Sequence, residues 1–446
     1  MEIGEVSPPA RRRRHGVLIG LVVALVAAAA AVPGLIVLTG DDGPAAAAPS
    51  PSPPVSTSPT ASALVSPKPG APADVRFAWA RAKITETLAA QSAALRAGDL
   101  AAFVAPASDR KVRAELERRF RSLRAMRVTG FELALDSGPF NEKQVKGVSE
   151  WGASVAVRHC FAVPRCATES VLVNTVWRDS PGGYRLTKVG TVADDDRGPH
   201  PWEVDTLTAA VGERAIVATT KAYAARARAF LPAAERAAKI ADKFVLGDRP
   251  DRYIIYLAGP KEWKRWFGGV SADWAVGFAL PVTENRSDIV LRVEEIDGGF
   301  AERVMKHEMG HVATLAGRDY RDINGENWWL TEGIAEYIEW EGRRRDAYDR
   351  QAAVRRLVSQ ATYYGELEKS VPRDDDPDWK VEAYYGVGFY ATRCIADHYG
   401  EAKLLEFADM VLRGGRPSGA ESGPILGIEW DALQKRCLRY TKDAVL

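Results

Sequence analysis

The first part of the hydrophobic pattern predicts two helices followed by three short strands. Apolar residues recur at helical spacing over residues 80–95 and again over the charge-rich residues 111–127. The runs 154–161, 169–178 and 184–192 are shorter, and their β-branched or alternating residues predict strands. Helices followed by an antiparallel sheet indicate a small α+β block.

The second half of the chain predicts a mostly helical block with a small sheet. Residues 209–244 are rich in Ala, Arg and Lys, with apolar positions at helical spacing, which predicts helix. Residues 253–258 and 288–293 are apolar runs of strand length, and residues 277–279 between them predict an edge strand. After residues 297–299 (Asp-Gly-Gly) the pattern is almost wholly helical to the end of the chain.

The longest apolar segment lies near the N-terminus. Residues 16–40 contain no charged residue and follow a block of arginines at positions 11–14. As a helix this stretch is roughly 37 Å long, and the hydrocarbon core of a membrane is about 30 Å thick. We therefore predict a cytoplasmic tail over residues 1–15, a single transmembrane helix over residues 16–40 and a Pro/Ala/Ser-rich linker over residues 41–73. A signal peptide that is cleaved near residues 45–48 is the alternative.

The charge balance and the cysteine pattern exclude several functional classes. The 446-residue chain has 60 Lys+Arg and 59 Asp+Glu residues, a net charge of +1, which gives no general attraction to nucleic acid. None of its four cysteines lies in a Cys-x-x-Cys pair, so a cysteine-based zinc finger or iron–sulfur cluster is not predicted. Outside the cytoplasm we expect disulfides between Cys160 and Cys166 and between Cys394 and Cys437, with free thiols as the alternative.

These observations divide the chain after the linker into two blocks. Residues 74–200 form the α+β block, whose order of helices and strands is similar to that of nuclear-transport-factor-like domains. Because such domains include both enzymes and non-catalytic modules, this similarity predicts a fold and no function. Residues 201–446 form the mostly helical block, and the candidate chemistry lies there.

A His-Glu-x-x-His pattern is the main candidate for chemistry. His307 and His311 are four residues apart, so on a helix they share one face and can offer two imidazoles to one Zn²⁺ ion. Glu308 is placed to accept a proton from water that is activated by the metal. Both histidines fall on an apolar helical stripe, which indicates a position facing the core. A pair of hydrogen-bonded core histidines is the structural alternative.

A third metal ligand is needed because catalytic zinc sites use three protein ligands. Glu332 and Glu336 lie four residues apart on a predicted helix. This spacing suits one metal ligand and one carboxylate that orients a ligand histidine. An exposed acidic face that also includes Glu339 and Glu341 is the alternative.

Together the two segments resemble the gluzincin metallopeptidases. The sequence His-Glu-Met-Gly-His at positions 307–311 is followed after twenty residues by Glu332 within Trp-Leu-Thr-Glu-Gly-Ile-Ala-Glu-Tyr. The similarity is closest to peptidase MA-like domains, with thermolysin-like enzymes and zinc aminopeptidases more distant. It covers about residues 204–446 and implies a zincin-like fold. By this resemblance Glu308 is the general base, Glu336 orients a ligand histidine, and the Zn²⁺ ligands are His307, His311 and Glu332.

Further positions extend the resemblance. Tyr385 lies three residues before Gly388, the spacing at which the aminopeptidases place a tyrosine that stabilises the oxyanion, with Tyr384 as the neighbouring alternative. Residues 277–279 correspond to the edge strand that pairs with an extended substrate. No Gly-x-Met-Glu-Asn sequence occurs. The feature that binds a substrate amine is therefore missing, and an endopeptidase is implied.

The predicted function is that of a membrane-anchored, extracytoplasmic peptidase that hydrolyses peptide bonds with zinc-activated water. Its predicted partners are a peptide or protein substrate and the membrane, through one N-terminal helix, with no nucleic acid. The oligomeric state is left open. A non-catalytic surface protein that uses the same fold as a scaffold or wall-binding module is the alternative.

Overall fold

The computed structural model describes residues 66–68, 70–163, 170–192, 198–269, 275–283, 286–316, 318, 325–373 and 375–446. Within these residues the chain is α+β, as predicted, with two separate sheets and a long helical C-terminal part. The predicted tail, the predicted transmembrane helix and most of the predicted linker lie outside the described residues.

The prediction of a membrane span requires correction. Residues 16–40 lie outside the described part of the chain, and no helix within that part combines the length and the apolar character needed to cross a membrane. The described helices of 18 residues or more carry ionisable side chains along their length, which a lipid environment disfavours. The predicted single-pass, membrane-anchored localisation is therefore not retained.

The first block places three helices against a four-stranded sheet. Its helices are α1 (Ala73–Ala97), α2 (Leu100–Val104) and α3 (Arg110–Ala125), and its strands are β1 (Val128–Val145), β2 (Val148–Phe161), β3 (Ser170–Ser180) and β4 (Gly183–Val192). The sheet is antiparallel throughout, in the order β1-β2-β3-β4. Asp99 and Asp109 fix the starts of α2 and α3, because their side chains accept hydrogen bonds from backbone N–H groups of the first turns.

Strand β1 is absent from the sequence prediction, and its irregularity explains why. It contains Gly130, Gly138 and Pro139, residue types that usually interrupt strands. Its register against β2 shifts at four places, as expected of a strand that bends at bulges. The position of β1 at the edge of the sheet tolerates these breaks, because only one side of the strand is paired.

The second sheet is mixed. Its strands are β5 (Leu207–Val211), β6 (Ala215–Thr220), β7 (Tyr253–Ala258), β8 (Gly277–Thr283) and β9 (Arg286–Arg292), and the helices among them are α4 (Pro201–Val204), α5 (Ala224–Ala241) and α6 (Pro260–Trp263). The order is β5-β6-β7-β9-β8, with parallel pairs in the middle and antiparallel pairs at both ends. The predicted strands over 253–258, 277–279 and 288–293 are confirmed, and β8 is an edge strand of this sheet.

The helix predicted over residues 209–244 is correct only from Ala224 onward. The preceding residues form β5 and β6 instead. Strand β6, Ala-Ile-Val-Ala-Thr-Thr, is buried at every position but the last, so its apolar residues do not alternate with polar ones. A short apolar run of this kind cannot be distinguished from a buried helix segment by its periodicity.

The C-terminal part is helical, as predicted. Its helices are α7 (Gly298–Thr314), α8 (Trp328–Glu339), α9 (Gln351–Val358), α10 (Asp378–Tyr399), α11 (Glu401–Ala408), α12 (Ser418–Glu421) and α13 (Trp430–Val445). The predicted disulfide between Cys394 and Cys437 is confirmed and joins α10 to α13. Cys160 is also disulfide-bonded, and Cys166, its predicted partner, lies outside the described residues.

Helices α8 and α10 touch through their backbones at two glycines. A Cβ atom on Gly333 would lie 2.5 Å from the carbonyl oxygen of Gly388. A Cβ atom on Gly388 would lie 2.6 Å from the carbonyl oxygen of Trp329. The Thr392 hydroxyl lies across the same contact, 2.9 Å from the Gly333 carbonyl oxygen. Because backbone atoms cannot move aside as a flexible side chain can, both positions require glycine.

We expect Gly333→Ala to lower the free energy of unfolding by about 2 kcal/mol. Overpacking against rigid backbone costs about 3 kcal/mol, and alanine regains about 1 kcal/mol over glycine in a helix. Thermal unfolding with calorimetric analysis would measure this loss. Gly299→Ala is the matched control, because a Cβ atom at Gly299 in the first turn of α7 meets nothing within 4 Å. Equal stability of the two variants would contradict the close backbone contact.

Candidate metal centre

The candidate centre is built from one face of α7 and the facing side of α8. His307 and His311 lie one turn apart on α7, and Glu332 lies in the second turn of α8. Their side chains and that of Glu308 are completely buried. The two helices approach closely at Gly310, where a Cβ atom would lie 3.2 Å from an isoleucine of α8.

Three donor atoms of these residues meet. The Nε2 atoms of His307 and His311 are 3.2 Å apart, and Glu332 Oε2 lies 3.2 Å from the first and 3.4 Å from the second. A tetrahedral Zn²⁺ ion with ligand bonds of about 2.05 Å separates its ligands by about 3.3 Å. The triangle therefore fits three ligands around one zinc ion, and this group of side chains can hold a metal ion.

The charge buried around the triangle also favours a cation. Four fully buried carboxyl groups face two guanidinium groups, so the cluster has an excess of two negative charges when the carboxyl groups are ionised and both imidazoles are neutral, the form in which imidazole binds a metal. Buried charges without compensation are strongly destabilising, and a divalent cation would neutralise this excess. The ionisable residues of this cluster, apart from the two histidines, are Glu308, Glu332, Glu336, Glu339, Arg303 and Arg350.

The protonation states differ among the three donors. Burial alone would raise the pKa of the Glu332 carboxyl group, but the imidazoles of His311 and His307 lower it to about 2. Burial lowers the pKa of His311, which favours the neutral imidazole that binds metals. The pKa of His307 is raised well above its usual value in spite of burial, because Glu332 and Glu339 lie beside it. Metal binding at His307 is therefore coupled to release of a proton.

Glu308 lies next to the donor group without belonging to it. A Cβ atom on Gly277, the first residue of β8, would lie 3.0 Å from Glu308 Oε1. Neither carboxylate oxygen makes a hydrogen bond of normal geometry. Burial raises the pKa of Glu308 to about 8, against the opposing effect of His307. A carboxylate whose only hydrogen-bonding neighbour is the Ala279 backbone, outside normal geometry, is available to exchange a proton with a bound molecule.

Among the comparisons with known proteins, only the comparison with solved structures gives a match. The structure is similar to an M1 zinc metallopeptidase from Deinococcus radiodurans, with 13% identity, a TM-score of 0.34, and coverage of 72% of this chain and 62% of that chain. A variant of a two-domain M1 zinc metallopeptidase bound to L-arginine matches with 16% identity, a TM-score of 0.33, and coverage of 70% and 61%. The chain thus spans less than two thirds of the length of either protein. No family model and no curated protein matches the chain. Its function is therefore inferred from its own side chains.

The structure brings Tyr385, and not Tyr384, to the centre. The centre of the Tyr385 ring lies 6.3 Å from that of the His307 ring and 4.9 Å from that of the Trp328 ring. The Arg350 guanidinium lies 5.2 Å from the centre of the same Tyr385 ring. Tyr384 packs into the helical core instead. The donation of a hydrogen bond by Tyr385 to an oxyanion stays a prediction.

Glu339 is a member of the cluster that the sequence analysis named only in its alternative interpretation. The alternative of an exposed acidic face is wrong for Glu339, which is fully buried. Its Oε2 atom lies 3.4 Å from His307 Nδ1, closer than Glu336 Oε1 at 3.7 Å.

Glu336 instead accepts a hydrogen bond of 2.7 Å from the Tyr348 hydroxyl and lies 3.4 Å from Arg350. Glu339 is thus better placed than Glu336 to orient the His307 ring. The sequence contained a signal for this position, because Glu339 follows Glu332 by two helical turns and therefore lies on the same face of α8.

We expect Glu339→Gln to weaken zinc binding by about 10- to 100-fold, the usual effect of removing a carboxylate that orients a ligand histidine. Zinc affinity measured by competition with a chromogenic chelator would show this change. Glu341→Gln is the control, because Glu341 pairs with Lys243 outside the cluster and its loss should leave the affinity unchanged. A larger effect of Glu336→Gln than of Glu339→Gln would assign the orienting role to Glu336 instead.

Proposed function

We propose that this protein is a zinc-dependent peptidase that cleaves peptide bonds within a peptide or protein substrate. The observation that carries this proposal is the triangle of His307 Nε2, His311 Nε2 and Glu332 Oε2 beside the free carboxylate of Glu308. Three protein donors are the number found in catalytic zinc sites, which keep one coordination position for water or substrate. A purely structural zinc site uses four protein ligands and needs no neighbouring base.

Zinc bound to these three residues would polarise the scissile carbonyl group and make water nucleophilic near neutral pH. Glu308 accepts the proton of the attacking water and then transfers it to the leaving amine, first as general base and then as general acid. Glu339 orients the His307 ring, and Arg350 balances the charge of the neighbouring Glu336. The Tyr385 hydroxyl is proposed to donate a hydrogen bond to the oxyanion as it forms.

The edge strand β8 is proposed to bind the substrate backbone. Within the described sheet β8 pairs with β9 alone, so an extended peptide can add as a further strand. Gly277 brings this strand against Glu308, which would place a bound backbone near the proposed base. The centre itself and residues 277–279 are buried. Cleavage therefore requires a local movement that opens the site to the substrate.

Cleavage of a fluorogenic peptide library by the purified full-length protein tests this proposal. We expect about one zinc ion per chain by elemental analysis, cleavage that a chelator abolishes, and recovery of cleavage when zinc is added back. Absence of zinc from the purified protein would refute the proposal, as would cleavage that is insensitive to chelator. Bound zinc with no cleavage of the library or of unfolded casein would favour the non-catalytic scaffold.

A further inference from the structure

The first block contains a cavity that lies outside the candidate metal centre. Its volume is about 50 Å³, counted as the space open to the centres of water-sized spheres. On this measure one water molecule needs about 10–15 Å³, so the cavity can hold several waters or a small organic molecule. Its walls come from α1, α2 and α3, from all four strands of the first sheet, and from α4 of the following segment.

The walls of the cavity are almost entirely apolar. They include Leu88, Phe103, Phe131, Val155 and Trp177, all of them buried. Apolar walls with a small number of converging polar groups are typical of sites that bind small molecules. Water alone is a poor occupant of such a space, because most of the surface offers it no hydrogen bond.

Two of the polar residues in the wall are already paired. The Gln91 amide donates a hydrogen bond of 2.8 Å to the Phe103 carbonyl oxygen. The Thr175 hydroxyl donates to the Ala153 carbonyl oxygen at 3.0 Å and accepts from the Trp177 indole at 2.8 Å. These groups hold the wall together, because their hydrogen bonds join backbone and neighbouring side chains and do not point to a ligand.

Two other wall residues have donors without partners. The Arg119 Nε–H and the Trp202 Nε1–H are buried, and neither makes a hydrogen bond in the described structure. Arg119 is 7% exposed and Trp202 is 1% exposed, and the guanidinium group lies 5.8 Å from the centre of the indole ring. Buried donors without partners destabilise a protein, so two of them in the wall of one cavity need an explanation.

The charge of Arg119 is already balanced. Its Nη1 atom lies 3.3 Å from Glu203 Oε1, and its Nη2 atom donates to the Gly190 carbonyl oxygen. Arg119 and Glu203 together have no net charge, and no other ionisable residue lines the cavity. An anionic ligand would therefore lack a countercharge, whereas a neutral acceptor could satisfy the free donors at no electrostatic penalty.

From these observations we propose that the cavity binds a small, uncharged, mainly apolar molecule with one hydrogen-bond acceptor, which accepts from Trp202 Nε1–H. The apolar body of the ligand fills space that would otherwise be empty, and its acceptor pairs a donor that otherwise has no partner. This binding site is separate from the metal centre and does not depend on the proposed peptidase activity.

Two probe molecules of nearly the same shape test the proposal on the full-length protein. Acetophenone has a carbonyl acceptor, and α-methylstyrene has a methylene group in its place. With ¹⁵N-labelled tryptophan, we expect acetophenone to shift the Trp202 indole resonance and to bind about three- to tenfold more tightly than α-methylstyrene, the effect of one net hydrogen bond. The resonance is assigned by its disappearance in Trp202→Phe, and in that variant the preference for acetophenone should diminish.

Trp263→Phe is the matched control. The Trp263 indole N–H is also buried without a partner, but this residue does not line the cavity. The preference for acetophenone should therefore persist in this variant. Equal binding of the two probes to the wild-type protein would overturn the proposal. The absence of any shift of the Trp202 resonance at acetophenone concentrations up to about 10 mM would also overturn the proposal. A site with a dissociation constant of about 1 mM would be mostly occupied at that concentration.

Discussion

Glu308→Gln should retain zinc and lose nearly all peptide cleavage, with kcat lowered by about 10²- to 10⁴-fold, the range for a general acid–base residue. Glutamine has the same shape as glutamate but cannot take up the proton of the attacking water. Glu308 does not belong to the donor group formed by His307, His311 and Glu332. The substitution therefore leaves all three metal ligands in place. Steady-state cleavage assays and elemental analysis of the same preparation measure both expectations together.

Glu302→Gln is the matched control for this experiment. Glu302 lies on the same helix as Glu308 but pairs with Arg236 at 2.7 Å, with part of its side chain exposed. Its replacement should change neither zinc content nor kcat, which excludes a general effect of removing a carboxylate from α7. Wild-type turnover in Glu308→Gln would show that another group moves the proton, and the assigned mechanism would then be wrong.

His311→Ala should weaken zinc binding by about 10²- to 10³-fold. Zinc bound by four ligands is held with about 10–16 kcal/mol, so one ligand contributes about 3–4 kcal/mol. The variant also leaves the buried Glu332 carboxylate without the imidazole of His311, whose Nε2 atom lies 3.4 Å from Glu332 Oε2. Zinc affinity is measured by chelator competition, and cleavage should fall in parallel at limiting zinc concentrations.

His398→Ala is the control for the loss of an imidazole. His398 lies near the end of α10 on the surface, and its replacement should leave zinc affinity unchanged. If His311→Ala bound zinc as tightly as the wild type, the three-donor site would be refuted, because His311 Nε2 forms one corner of the triangle.

The sequence predicted the local geometry of the centre well, and its long-range geometry only through a family resemblance. Two histidines four residues apart share a face of any helix, so the pairing of His307 with His311 follows from helical periodicity. Nothing local to α7 or α8 determines how these helices cross, and Glu332 was therefore assigned by resemblance. In the structure the crossing is set by close contacts at glycines such as Gly310, which are visible only once both helices are packed.

Two errors have a common physical cause. Residues of β5 and β6 were predicted as helix, and the alternative interpretation of α8 placed Glu339 on an exposed acidic face. In both cases tertiary packing determines the outcome, and local pattern does not. The burial of β6 follows from packing on both faces of the sheet, because Ile216 and Ala218 belong to one apolar cluster and Ala215 and Val217 to another. The burial of Glu339 depends on His307 and Arg303, both contributed by another helix. A charged residue becomes favourable in a protein interior only when such partners are present.

The backbone contact between Gly333 and Gly388 has a consequence for how this sequence can diverge. Glu332 on α8 and Tyr385 on α10 keep their mutual distance through two residues that have no side chain. The outward faces of both helices can therefore accumulate substitutions over evolutionary time while the distance between Glu332 and Tyr385 is maintained. Selection on the spacing between them should act mainly on the two glycines.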